Sequence, residues 1–78
     1  MALPPTPNEL GALVSLAYNI GVDALAGSTV LRRHNAGDRE GAAHAFAMWN
    51  KARVNGRLRV LPGLVKRRAA EAALYLAS

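Results

Sequence analysis

The chain has no cysteine. No disulfide or thiolate–metal site can therefore staple a fold this small, and nothing in it needs an oxidising compartment. Acids are few: Glu9, Asp23, Asp38, Glu40 and Glu71. Aromatics are fewer still, with Tyr18, Phe46, Trp49 and Tyr75. So few aromatics, and no recognition-helix pattern, argue against nucleic acid as a partner. The two histidines, His34 and His44, fall on different predicted helices with no carboxylate pair beside them. They are expected to be exposed helical residues, and no metal or cofactor is expected. There is no G-x-S-x-G elbow, no G-x-G-x-x-G and no P-loop. Internal repeats and low-complexity tracts are also lacking.

What is present is a chain of 78 residues, 51% hydrophobic, with a net charge of +5. That is one helical domain, residues 1–78, with residues 1–6 as a tail, near the lower size limit for a self-sufficient core. Residues 1–7 carry no basic n-region and three prolines, so they do not read as a signal peptide. Residues 10–31 are nearly free of charge, long enough to suggest a membrane span. Asp23 in their middle, with Gly21 and Gly27 as stops, argues for soluble helices instead. The expected location is cytoplasmic at synthesis. Lys and Arg concentrate after residue 50, which favours anionic partners without choosing among them.

Local signals divide the chain cleanly. Thr6-Pro7-Asn8-Glu9 reads as a capping box with proline at the first helical position, opening a helix to about Ile20 that Gly21 closes. This helix is apolar nearly all round, so burial on most sides is expected. Ser15 and Asn19 share its one narrow polar stripe, as on a wall facing a wet cleft. Asp23 precedes a short turn ending at Gly27. Ser28 caps a helix from Thr29 to about Asn35, and Asp38 caps the next, from Arg39 to about Asn50, with Ala42, Ala45, Phe46 and Trp49 on its buried face. Residues 51–61 read as a loop. Val54-Asn55-Gly56-Arg57 is a hairpin signal, on arms too short and basic to stand as an isolated hairpin. Pro62 opens a last helix to about Ala77, with Leu61, Leu64, Val65, Ala72, Tyr75 and Leu76 as its apolar stripe. The expected fold is all-α, a compact orthogonal bundle of about five short helices.

Glycoside hydrolysis usually needs two carboxyl groups across the bond, one of them held protonated. Here every acid has an ordinary task. Glu9 belongs to a capping box, Asp23 and Asp38 precede helices, Glu40 complements a helix start, and Glu71 follows Arg67 and Arg68 at helical spacing. Arg67, Arg68 and Glu71 are structural candidates. They form either a solvated face of ordinary pairs, or a partly buried set in which Glu71 and a loop carbonyl hold Arg68 and order residues 51–61.

Four blocks of the chain carry a resemblance. They are Trp49-Asn50-Lys51 with Leu61-Pro62-Gly63-Leu64 through Arg67-Arg68 to Glu71; Ala12 to Gly21; Ser28-Thr29-Val30-Leu31-Arg32; and Asn35-Ala36-Gly37-Asp38. Over roughly residues 9–77 the chain resembles the C-terminal helical lobe of the phage-type lysozymes, endolysins that cut peptidoglycan. The resemblance implies a lobe that packs against a small α/β lobe with the sugar chain bound between the two. The family's acid-bearing motif, a Glu followed later by Asp and Thr, has no match in this chain. No catalytic residue is therefore expected here. By the same resemblance Tyr18, Asn19, Ile20 and Gly21 belong to the cleft wall, with Ser28 and Thr29 beside them. Trp49 reads first as a core aromatic bridging two helices. A hydrogen bond from its indole to Asn19 would also place it at the cleft.

Two functions follow. One is a lobe of a lysozyme that in intact form hydrolyses the β-1,4 N-acetylmuramic acid–N-acetylglucosamine bond at the bacterial cell wall. Alone it would bind peptidoglycan weakly and expose apolar surface, favouring self-association or a looser first helix. The alternative is a small cationic non-enzymatic module that binds anionic envelope polymers or an anionic membrane surface through Arg53, Arg57, Arg59, Lys66 and Arg67.

Overall fold

The computed structural model describes residues 4–77. The tail before residue 4 lies outside the described residues. Five α-helices and one small sheet follow in order: α1 Pro7–Ile20, α2 Val22–Ala26, α3 Thr29–Asn35, α4 Arg39–Phe46, a 3₁₀ turn Ala47–Trp49, β1 Lys51–Val54, β2 Arg57–Val60 and α5 Pro62–Leu76.

The helix ends form where capping chemistry puts them. Thr6 Oγ1 accepts from the Glu9 amide at 3.1 Å, and Glu9 returns a carboxylate to the Thr6 amide at 2.8 Å, which completes the capping box of α1. Gly21 ends α1 at φ 96° and ψ 148°, backbone that a side chain strains to adopt. Ser28 and Asp38 cap α3 and α4 through the amides of Leu31 and Gly41. Helix α4 is shorter than its periodicity suggests, because its last turn tightens to 3₁₀ before Trp49.

The chain is not purely all-α. Residues 51–60 form an antiparallel hairpin in the register Lys51↔Val60, Ala52↔Arg59, Arg53↔Leu58 and Val54↔Arg57. Asn55 at φ 53° and Gly56 at φ 80° supply the two left-handed residues of a turn whose twist matches the strands. The hairpin is not an isolated one. The Leu61 amide donates to the Asn50 carbonyl at 3.0 Å and closes its base. Beyond that base the chain is already anchored, by half-buried Trp49 on one side and α5 on the other.

Helix α1 packs along α5, α5 against α4, and α4 against α3. The core between them consists of Ala12, Leu13, Leu16, Val30, Ala42, Ala43, Ala45, Phe46 and Tyr75. Four of these are alanines, and a large buried apolar side chain contributes only about 1.5–3 kcal/mol. Buried polar contacts therefore carry unusual weight in this fold.

The central helix departs from its expected burial. Ala12, Leu13 and Leu16 are buried, but Leu10, Val14 and Tyr18 are exposed along one stripe, with Val22 continuing it. Helix α5 departs too. Its buried residues are Arg68, Glu71 and Tyr75, whereas Val65 and Leu76 face solvent.

Candidate functional site

Two polar clusters hold the helices in place. The first surrounds Tyr75, which is completely buried. Its hydroxyl lies 2.6 Å from His34 Nδ1, and its ring meets the Phe46 ring at 5.6 Å between centroids. Arg39 donates to the Tyr75 carbonyl at 3.0 Å and through Nε to Glu9 at 2.6 Å, with its guanidinium carbon 5.9 Å above the tyrosine ring. Helices α1, α3, α4 and α5 all contribute to this cluster. His34 is thus buried, against the expectation of an exposed helical histidine, while His44 is exposed.

Burial pushes the Glu9 carboxyl up, but the Thr6 amide, Arg39 and the more distant His34 outweigh it and hold it below the ordinary glutamate range. A carboxyl held this way is a poor proton donor near neutral pH. Burial, helped by the Glu9 charge, raises the Tyr75 hydroxyl above its ordinary value.

The second cluster joins α1 to α5. Arg68 is 1% exposed. Its Nη2 donates to Glu71 Oε2 at 3.0 Å and its Nη1 to Asn19 Oδ1 at 3.0 Å. Arg68 Nε and Glu71 Oε1 face each other 2.7 Å apart as an ion pair, off the line of a good hydrogen bond. The Ser15 hydroxyl donates to Glu71 Oε2, and Arg67 approaches the same oxygen at 3.5 Å.

This geometry corrects two expectations. The Ser15–Asn19 stripe of α1 meets the Arg68–Glu71 pair, with Asn19 still exposed. Asn19 is taken by Arg68, and no hydrogen bond joins it to Trp49. Arg68 is held by Glu71 and Asn19, not by a loop carbonyl, so it anchors α1 and leaves residues 51–61 to their own hairpin.

The cleft-wall candidates differ in exposure and in what they contact. Tyr18 is 88% exposed and Asn19 is exposed at the end of α1. Ile20 and Trp49 pack against the core from its edge. Gly21 turns the backbone, and a Cβ there would meet nothing within 4 Å. Ser28 is buried and its hydroxyl is committed, donating to the Leu25 carbonyl at 2.7 Å and accepting from Leu31. Thr29 accepts from Arg32 at 3.2 Å. A separate groove of about 200 Å³ is lined by Leu10, Leu13, Val14, Ala17, Val22, Leu25, Ala26 and Leu31. Its lining is apolar throughout and suits packing against another protein surface better than a sugar.

Sequence reasoning missed the Glu9–Arg39, His34–Tyr75 and Ser15–Glu71 contacts. One signal was available: Ser15 with Asn19 and Arg68 with Glu71 are polar pairs one turn apart on two otherwise apolar faces. Two such stripes in one small core satisfy each other most economically.

Among the described residues no helix is long and apolar enough to cross a membrane, and no group of three metal-ligating side chains converges. The phage lysozyme family profile matches residues 1–71. An endolysin of Acyrthosiphon pisum secondary endosymbiont phage 1 is 49% identical over 94% of this chain and 50% of its own length. The solved endolysin of Escherichia coli O157:H7 phage FAHEc1 superposes with a TM-score of 0.93 at 48% identity, covering 96% of this chain and 48% of that one. The muramidase domain of SpmX from Asticaccaulis excentricus superposes with a TM-score of 0.88 at 45% identity, over 96% of this chain and 51% of that one. The chain spans about half the length of these relatives.

Proposed function

The chain belongs to the phage lysozyme family, and on that premise we propose that it serves as the C-terminal helical lobe of a peptidoglycan-cutting endolysin, building the fold and one wall of the sugar cleft while a partner lobe supplies the chemistry. The substrate class is the glycan of the bacterial cell wall, as the names endolysin and muramidase of its relatives indicate.

The observation that carries this reading is the state of the five acids. Glu9 is bound by Arg39 and the Thr6 amide, and Glu71 by Arg67, Arg68 and Ser15. Asp38 caps α4 and faces Arg33 at 3.6 Å, while Asp23 and Glu40 stand in the first turns of α2 and α4. No two of them frame a cleft with one carboxyl in apolar surroundings, which is the arrangement hydrolysis requires. The exposed stripe Leu10, Val14, Tyr18 and Val22 supports the same reading, because a surface that seats a partner lobe is apolar and continuous.

Within this reading Tyr18, Asn19, Ile20 and Gly21 form the wall, with Thr29 and Trp49 at its edges. The Ser28 hydroxyl is committed to its helix cap and contributes backbone position only. Arg67, Arg68 and Glu71 are structural. Arg68 turns the Asn19 carbonyl inward, so the amide N–H groups of Asn19 are left to face outward as donors. The test is lysis of bacterial walls by the pure chain. No clearing is expected, and heat-sensitive clearing would overturn the reading.

A further inference from the structure

From Lys51 to Arg68 the chain carries seven of its ten cations, and no acid lies between Glu40 and Glu71. Four of those cations, Lys51, Arg53, Arg57 and Arg59, stand on the hairpin, and all four are exposed. Among the described residues no acid pairs with any of them, whereas Arg33, Arg39, Arg67 and Arg68 each have a carboxylate partner.

The register couples each cation to an aliphatic partner across the strands. Residues opposite one another share a face, and the face alternates along each strand. One face therefore holds Lys51 with Val60 and Arg53 with Leu58, and all four are exposed, Leu58 at 64% and Val60 at 52%. The other face sets Arg57 and Arg59 against half-buried Val54 and Ala52. A soluble polyanion would gain from the cations and nothing from exposed Leu58 and Val60. A lipid surface gains from both, with aliphatic tips entering the headgroup boundary and long basic side chains reaching phosphates beside them.

We propose that the β1–β2 hairpin is an anionic-bilayer docking element, seating Leu58 and Val60 in the interface with Lys51 and Arg53 of the same face on lipid phosphates. It is independent of the cleft reading, since it uses no residue of the proposed wall. Each cation beside an anionic leaflet strengthens binding by about fivefold, so the two on this face give roughly 25-fold over a neutral surface at low salt.

The test is sedimentation of the whole chain with vesicles of phosphatidylcholine alone or containing phosphatidylglycerol, with the emission of Trp49, two residues before the hairpin, as a second readout. About 25-fold tighter binding to the anionic vesicles is expected, falling with added salt. The double variant Lys51→Gln, Arg53→Gln should lose most of that preference, while Arg57→Gln, Arg59→Gln on the opposite face should keep most of it. The pair Leu58→Ser, Val60→Ser should weaken vesicle binding by about tenfold while leaving binding to polyphosphate unchanged. If the double variant does not keep the helical circular dichroism of the parent, the single change Arg53→Gln replaces it, with a loss of about fivefold expected. Equal binding to neutral and anionic vesicles would overturn the proposal. Unaltered vesicle binding by the Leu58, Val60 variant would overturn it too, and would point to a soluble polyanion as the partner.

Discussion

Arg68 Nη1 donates to Asn19 Oδ1 at 3.0 Å, a contact that spans 49 positions and ties the last helix to the end of the first. With Glu71 on its other side, Arg68 is a buried cation whose partners are all built in. Truncating one member of such a pair leaves the other uncompensated, at about 3–5 kcal/mol. Arg68→Ala should therefore lower the melting temperature by more than about 12 °C. Exposed Lys66→Ala should stay within about 0.5 kcal/mol of the parent. Thermal melts of both variants check this, and equal small losses would show that the pair is an ordinary surface contact.

Tyr75→Phe should cost about 1–3 kcal/mol, although it removes a single oxygen. That oxygen meets His34 Nδ1 at 2.6 Å inside the core, where water cannot replace it. Denaturant titration measures the loss, and a neutral outcome would mean that the hydroxyl contributes nothing to the α3–α5 contact.

Stability should fall at both ends of the pH range, for different reasons. Glu9 has a folded pKa below its ordinary 4.5. Its contribution is complete above that value and is lost as pH falls through the lower folded value. Tyr75 has a folded pKa above its ordinary 10.0. The buried neutral phenol is favoured, so its contribution is complete below 10.0 and is lost as pH rises through the higher folded value. In denaturant titrations across pH, Glu9→Gln should flatten the acid limb and leave the alkaline limb in place. An acid limb unchanged by that substitution would contradict the Arg39–Glu9 account.

The helix ends were legible because their signals are local. Thr6, Pro7 and Glu9, then Gly21, Ser28, Asp38 and Pro62, act within one turn of where they stand, and the helices begin and end at these residues. The buried polar contacts were not legible in the same way. Glu9 with Arg39 spans 30 positions and His34 with Tyr75 spans 41, so no local pattern marks them. Nothing beside His34 in the sequence marks it as buried, and its neighbours Arg32 and Arg33 are exposed. One side of the short helix α3 is nonetheless turned inward, where Val30 is buried as well. The hairpin was undervalued because its stability comes from its anchored base, while the Asn-Gly turn signal itself was plain. Of the site, family resemblance alone nominates a set of wall residues. It gave no hint that Ser15 and Asn19 pair with α5.

The stripe Leu10, Val14, Tyr18 and Val22 should drive self-association of the chain, since soluble monomers seldom leave so continuous an apolar surface open. Val14→Glu, at a position 56% exposed, should yield a monomer in sedimentation with a melting temperature close to that of the parent. A parent chain that is already monodisperse and monomeric would remove this claim.

The most direct test of the account as a whole is complementation. The pure chain is mixed with the half of the FAHEc1 phage endolysin that it does not match, and wall turbidity is followed. Each half alone should leave the walls intact, the mixture should clear them, and Val14→Glu should abolish the clearing. Lysis by the chain alone, or no lysis from a mixture in which the halves demonstrably bind, would contradict it.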